Sequence, residues 1–263
     1  MKAASSFRRN LLYRRLVIIA SATIAIAVVV GAVFLVCRYS GFRISSIVVS
    51  GNRSVSSEEI IAVSRETANS CFWGKLLGND HLFAWMSFPK EKLTEAIFRL
   101  RDAAIDIGEN REINISVTER KETASWCLVI EEKKRCFWMD EEGALFAPGP
   151  DAEGSLVRVI NDRTGRDMGI KDRPLSVEEM ANFQKTSLMI SELSLPISDI
   201  SLNQSGSKDL TIKLFSGHEI RFSLSTDPSF GVPVIRSLIE SGEWPRVEYL
   251  DLRIEGKGFY KLK

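Results

Sequence analysis

Residue types that support catalysis or metal binding are few in this chain and poorly placed for either purpose. Covalent catalysis needs a nucleophile beside a base, yet the 263 residues contain no G-x-S-x-G, S-x-x-K, H-E-x-x-H or Walker-type motif. We interpret His81 as a loop residue beside an apolar run, and His218 as a solvated residue of a hairpin turn. The sequence therefore predicts no catalytic residue, no cofactor and no metal site.

The cysteines leave one covalent feature open. Cys127 and Cys136 bracket Leu128–Arg135, which reads as strand, turn and strand with four charged residues at the turn. A disulfide across such a hairpin is plausible in an oxidising compartment, and two reduced thiols that lie close together are the alternative. The spacing fits no zinc pattern.

Two charged segments could be functional, and both have a simpler explanation. Glu119–Glu122 follows a strand pattern, where a charge run is usually a solvated connection. Asp140–Glu142 could attract a cation, but Ca²⁺ takes six or more oxygens, and the spacing of an EF-hand is missing from the sequence. We expect both segments to be exposed.

An aromatic-rich segment lies at the end of the first third of the chain and contains Phe72, Trp73, Phe83, Trp85 and Phe88. Core packing is the preferred interpretation. Contact with lipid headgroups or with a partner is the alternative, because clustered exposed aromatic side chains mark such surfaces.

One segment is suited to crossing a membrane. Residues 16–37 carry no charge and no proline, and a helix of this length, rising about 1.5 Å per residue, spans roughly 33 Å. The run is longer than the roughly 7–15 apolar residues of a signal peptide, and no small-x-small site closes it, so a cleaved or lipidated signal is disfavoured.

The charges around this segment predict its orientation. Residues 1–15 carry basic side chains and no acidic one, which favours a cytoplasmic tail and an exported body. The body is slightly acidic, which argues against a nucleic-acid partner. An uncleaved single-pass anchor at residues 16–37 is the resulting prediction.

Residues 42–120 predict a small α+β module with the order β-α-α-β-β. Ser56 and Glu59 form a capping-box pattern, and Pro89 opens the second helix, with Leu93, Ile97 and Leu100 on one face. The expected elements are a strand at Ile44–Val49, a helix at Ser57–Ala68, a loop at Gly74–His81, the helix from Pro89, and strands at Ala103–Ile107 and Ile113–Thr118.

Residues 121–263 predict a strand-rich domain with two helices. Ser176 with Glu179 and Asp227 with Pro228 are the helix-start signals. The expected strands are Ala124–Ile130, Cys136–Asp140, Leu156–Ile160, the alternating hairpin through Leu210 and Ile220 with its turn at Ser216–His218, and finally Val247–Ile254 and Phe259–Leu262.

Several short motifs occur in an order that resembles a known family. The anchor leads into Ile44-x-x-Ile47-x-Val49-x-Gly51-Asn52, which looks like the start of a POTRA (polypeptide-transport-associated) domain. The later motifs resemble those of FtsQ/DivIB cell-division proteins, although Glu122-Thr123 stands where that family often has proline. They are Leu100–Ile105, Ile113-x-Ile115-x-Val117-x-Glu119-Arg120, Ala124-x-Trp126, Asp140-x-x-Gly143-x-x-Phe146 and Tyr249–Arg253.

This resemblance implies a non-enzymatic divisome scaffold of the inner or plasma membrane, acting at the division septum, with a POTRA domain at 42–120 and an FtsQ-type β domain at 121–263. Its partners would be the bitopic coiled-coil proteins FtsB and FtsL, bound by addition of a strand to the C-terminal edge of the β domain. The alternatives are a membrane-anchored envelope enzyme or another POTRA-containing assembly factor. The residues that match the partner-binding region are Tyr249, Asp251, Arg253, Ile254, Phe259 and Tyr260.

Overall fold

The computed structural model describes residues 3–131, 133–152, 157–203 and 209–263 of an α+β protein. The chain forms two compact units. The first comprises the chain up to Ile97 together with Asp102–Thr118, and the second comprises Phe98–Arg101 and the chain from Glu119 onward. Each unit has its own sheet.

The first unit begins with a long helix, α1, at Ala3–Arg38. Its segment Arg14–Leu35 is long and apolar enough to cross a membrane. Among the described helices it is the only one that meets this criterion.

A three-stranded sheet and four shorter helices complete the first unit, except that Leu100–Arg101 at the start of β2 and Glu119 at the end of β3 belong to the second unit. Strand β3 lies between β1, to which it is parallel, and β2. Ser56 accepts a hydrogen bond from the Glu59 amide, which confirms the predicted start of α2. The elements are β1 Ile47–Ser50, α2 Ser57–Ser70, α3 Phe72–Leu77, α4 Leu82–Met86, α5 Lys90–Ala96, β2 Leu100–Ile107 and β3 Ile113–Glu119.

Two local predictions in this unit are wrong. The loop expected at Gly74–His81 contains most of α3, because Gly74 lets this helix approach α2 closely: a Cβ at Gly74 would lie 1.9 Å from the Ala68 carbonyl oxygen. Leu100 begins β2 instead of lying on the face of the second predicted helix, which ends at Ala96.

The second unit is built on a nine-stranded mixed sheet with the order β12-β11-β10-β9-β8-β7-β4-β5-β6. The pairs β4–β7, β7–β8 and β10–β11 are parallel, and the remaining pairs are antiparallel. Its elements are β4 Ala124–Ile130, β5 Lys133–Met139, β6 Leu145–Pro148, β7 Val159–Asp162, α6 Val177–Glu192, β8 Ile197–Leu202, β9 Asp209–Leu214, β10 Glu219–Ser223, α7 Gly231–Glu240, β11 Val247–Leu252 and β12 Phe259–Leu262.

One hydrophobic core joins both helices of this unit to the sheet. Phe183 of α6 and Ile235 of α7 are buried together with Trp126, Phe222 and Leu250. The capping box of Ser176 and Glu179 forms in both directions, as predicted. Strand β8 has no counterpart among the predicted elements, and the predicted strand residue Leu156 and the turn residue Glu132 lie outside the described residues.

The two ends of the nine-stranded sheet differ. Strand β6 ends at Pro148, and the chain at Lys171–Asp172 covers its outer side: the Leu145 amide donates to the Asp172 carbonyl at 3.0 Å, and the Lys171 amide donates to the Leu145 carbonyl at 2.8 Å. At the opposite end, β12 pairs with β11 alone among the described strands.

The expectation that both charged segments are exposed is wrong at Arg120 and Asp140. The Asp140 side chain is buried, the Arg120 side chain is only 11% exposed, and the two form an ion pair of 2.5 Å. Asp140 also accepts hydrogen bonds from the amides of Glu142 and Ala144, and the Arg120 guanidinium lies 4.5 Å from the centre of the Phe98 ring. Because their partners are remote in sequence, local patterns place these charges in solvent while the fold buries them.

Cys127 and Cys136 lie directly opposite each other on β4 and β5, where they form a disulfide. Their Cα atoms are 4.0 Å apart, since they occupy facing positions of an antiparallel pair. Cys37 and Cys71 are free thiols.

Candidate functional site

The six residues that sequence motifs single out lie together at the β12 end of the sheet. Tyr249 and Asp251 are half-buried on β11, and Arg253 follows that strand. Ile254, Phe259 and Tyr260 are exposed by 55%, 54% and 46%. Leu250 and Leu252, between them on β11, are buried. We call this region, Tyr249–Tyr260 with the rest of β12, the C-terminal edge.

The backbone of β12 has one occupied side and one open side. The amide of Lys263 donates to the Arg246 carbonyl at 2.8 Å, toward β11. Because amides two residues apart in a strand point the same way, those of Phe259 and Lys261 also face β11, and those of Tyr260 and Leu262 face outward. No described strand pairs with that outward side. An unpaired row of this kind is a template for an added strand.

Arg253 is held in place by two carboxylates. Its Nε and Nη2 donate to Asp251 at 2.9 and 2.6 Å, and its Nη1 donates to the buried Asp209 at 2.7 Å. The hydrogen bonds that Arg253 donates to Asp251 and Asp209 raise the pKa of Arg253, and those that Asp251 accepts from Arg253 lower the pKa of Asp251. Asp251 and Arg253 therefore fix the end of β11 against β9, so their first role is to shape the edge.

Tyr249 carries a cation on its ring. The Arg221 guanidinium lies 4.4 Å from the ring centre, and its Nε donates to Glu219 at 2.6 Å. Both charged residues lie on β10, where Ile220 and Phe222 point into the core and leave the alternate positions for the opposite face. The polar face of the sheet beside the edge is therefore formed by the Arg221–Glu219 ion pair packed on the Tyr249 ring.

Two further contacts tie β12 to its surroundings. The Tyr260 hydroxyl donates to Glu243 at 3.0 Å, and Lys261 pairs with Glu248 at 2.6 Å. The hydrogen bond to Glu243 raises the pKa of Tyr260, and the hydrogen bond to Glu248 raises that of Lys261. Ile254 and Phe259 supply the exposed apolar surface of this edge.

His218 belongs to the support of this edge, and its predicted exposure is wrong. It is buried and stacks on Trp244 with ring centres 4.7 Å apart. Its Nδ1 lies 2.7 Å from the Ser216 hydroxyl, and its Nε2 lies 2.9 Å from the Trp244 carbonyl, just before β11. Burial lowers the pKa of His218. Both ring nitrogens therefore have hydrogen-bond partners, and His218 has a structural role.

His81 also has a structural position. It precedes α4, where its Nδ1 accepts from the Phe83 amide at 3.3 Å, and it is buried. His81 lies at the end of a loop, as the sequence predicts, but its burial is not indicated by the sequence.

Local sequence patterns do not identify the residues that support the edge from other parts of the chain. Asp209 lies on β9, Arg221 lies on β10, and Glu243 lies between α7 and β11. The alternation of β10 could have indicated that Arg221 faces away from the core, but the parallel pairing of β10 with β11 has no local sequence signal.

Comparisons of the chain with models of known protein families and with curated proteins find no match.

Proposed function

We propose that this chain is a non-enzymatic, single-pass scaffold of the cell-division machinery, similar to FtsQ/DivIB proteins, that binds FtsB- and FtsL-type partners by strand addition at its C-terminal edge. In this proposal, α1 crosses the inner or plasma membrane, the N-terminus is cytoplasmic, and the body lies in the periplasm or outside the cell at the septum. The first unit corresponds to the POTRA domain.

The observation that carries the proposal is the open side of β12. An added strand would gain main-chain hydrogen bonds from the outward amides of Tyr260 and Leu262, and side-chain contacts would give specificity. Exposed Phe259 and Tyr260 offer aromatic side chains of the kind enriched at interface hot spots. The ion pairs of Arg253 keep the edge rigid before binding, which reduces the entropy lost on association.

The orientation rests on charge. Basic residues precede the apolar segment of α1 and acidic residues do not, which favours retention of the N-terminus in the cytoplasm. An exported second unit is consistent with its disulfide, because such bonds persist in oxidising compartments.

Two substitutions at one position test strand addition. Tyr260→Pro removes an outward amide donor, and proline is tolerated on an edge strand where the N–H faces solvent. Tyr260→Ala removes the ring and its bond to Glu243 but keeps the amide. We expect Tyr260→Pro to abolish co-purification of FtsB- and FtsL-type proteins with the full-length chain from its own membranes. Tyr260→Ala should weaken it.

Circular dichroism of both variants should match that of the unchanged protein, because β12 keeps its bonds to β11. Unchanged co-purification with Tyr260→Pro would exclude strand addition at β12. Loss with Tyr260→Ala as severe as with Tyr260→Pro would assign binding to the side chain and not to the backbone.

A further inference from the structure

Helix α3 presents apolar side chains to solvent. Phe72 and Leu76 are four residues apart, so they share one face of the helix, and they are exposed by 72% and 63%. Trp73 beside them is exposed by 38%. Most of this surface is therefore outside the core, contrary to the preferred sequence interpretation of Phe72 and Trp73.

The structure ties this surface to the end of α1. The His81 Nε2 lies 2.9 Å from the carbonyl oxygen of Cys37, in the last turn of α1, and the backbone of Arg43 bridges to that of His81. Burial of His81 makes this a fixed contact. The segment that carries α3 and α4 is thus joined to the point where the apolar helix ends.

A continuous series of aromatic rings runs from that point to α3. It starts at Tyr39, four residues after the apolar segment ends at Leu35, and passes through Phe42, Phe83 and Trp73 to Phe72. Successive ring centres are 5.2–6.2 Å apart. Aromatic side chains that accompany a membrane-spanning helix at its end are typical of the membrane–water interface.

The length of α2 places its first turn away from α3. Its 14 residues rise about 21 Å from Ser57 to Ser70, and α3 follows directly. Glu58, exposed in the first turn of α2, therefore lies a helix length away from α3. Lys75 lies on α3 and is exposed, so a cation for lipid phosphate accompanies the apolar face.

We propose that the exposed face of α3 is a membrane-contact surface, in which Phe72, Trp73 and Leu76 lie in the headgroup–acyl boundary of the bilayer that α1 crosses. The occupant is a lipid surface, because this face is continuous with the end of the apolar helix. The proposal rests on membrane insertion of α1, and it adds a second contact that fixes the tilt of the first unit.

Depth-dependent quenching tests this contact on the full-length chain in phosphatidylcholine vesicles. Single cysteines at Leu76→Cys, Val28→Cys or Glu58→Cys are introduced with Cys37 and Cys71 replaced by serine, and each is labelled with an environment-sensitive fluorophore. The vesicles carry nitroxide lipids with the spin label either close to the headgroup or deep in the acyl chain. Phe72→Cys provides a second position on the same face.

We expect the probes at positions 76 and 72 to emit at shorter wavelength and to lose fluorescence mainly with the shallow nitroxide, since interfacial helices lie about 5–10 Å into this boundary. The probe at position 28 should lose fluorescence mainly with the deep nitroxide. The probe at position 58 should lose fluorescence with neither nitroxide.

A quenched probe at position 28 with unquenched probes at 72 and 76 would overturn the membrane contact of α3 and leave the anchor intact. An unquenched probe at position 28 would instead overturn membrane insertion of α1, and with it the proposed function. Equal quenching at positions 58 and 76 would contradict a contact confined to α3.

Discussion

The ion pair of Arg120 and Asp140 predicts a large loss of stability when Asp140 is replaced. The contribution of the Asp140 charge can be measured separately from that of its hydrogen-bond acceptors. Asp140 accepts from the Arg120 guanidinium and from two backbone amides, while Arg120 also donates to the Phe98 carbonyl at 3.0 Å. Asp140→Asn keeps the side-chain shape and one acceptor for the amides but removes the charge. Asp140→Ala removes every acceptor.

The magnitudes follow from these contacts. A hydrogen bond to a charged group contributes about 1.5–3 kcal/mol, so we expect Asp140→Asn to lower the free energy of unfolding by this amount. Asp140→Ala leaves the largely buried Arg120 guanidinium without its carboxylate and should cost about 3–5 kcal/mol. Arg120→Met with Asp140→Asn should lose less than the sum of the single variants, by about 1–3 kcal/mol.

Urea unfolding of the detergent-solubilised full chain, followed by tryptophan fluorescence, measures each free energy by linear extrapolation. Asp167→Asn is the matched control, since Asp167 pairs with Arg135 at an exposed site and should change stability by less than about 1 kcal/mol. Additive losses from Arg120→Met and Asp140→Asn, or a cost of Asp140→Ala equal to that of the control, would refute the buried pair as a stabilising unit.

Three further outcomes are expected. Trp126→Phe removes the ring N–H that donates to the buried Asp162 at 3.2 Å, and thermal and urea unfolding should show a loss of about 1.5–3 kcal/mol. Replacing both Cys127 and Cys136 by alanine opens a short covalent loop, and the free energy of unfolding should fall by about 2–3 kcal/mol, with no effect of reductant on the double variant. His218 has a lowered pKa in the folded state, so the unfolded chain binds more protons once the pH falls below the ordinary histidine value of about 6.5. Stability should therefore fall as the pH drops from about 6.5 toward the folded-state pKa and then level off, and a His218→Gln variant should lack this slope in urea titrations across that range.

Local signals predict many of the elements of this chain. The caps at Ser56 and Ser176 start helices where expected, and the alternation around Leu210 and Ile220 gives a real hairpin. In each case the information lies within a few residues, because a cap or a pleat is a short-range property.

The rest depends on contacts between distant segments. Gly74 suggests a loop in the sequence, but in the fold it lies in α3, where the close approach of the α2 backbone requires a glycine. The local sequence places Arg120 in solvent, but in the fold it pairs with Asp140, which follows the next hairpin. The local sequence also places His218 in solvent, but in the fold it stacks on Trp244. At the C-terminal edge, motifs locate β11 and β12, but the parallel partner β10 and the carboxylate of Asp209 come from the three-dimensional arrangement.

The unequal ends of the nine-stranded sheet also bear on self-association. Head-to-tail stacking of sheets into a fibre requires each copy to offer an open strand at one end and an open acceptor at the other. In this protein the β6 end is already hydrogen-bonded by Lys171–Asp172 and stops at Pro148, so a β12 strand from another copy meets no free row there. The molecule can thus leave one edge open for a partner without forming the repeating chain of sheets that two open edges would permit.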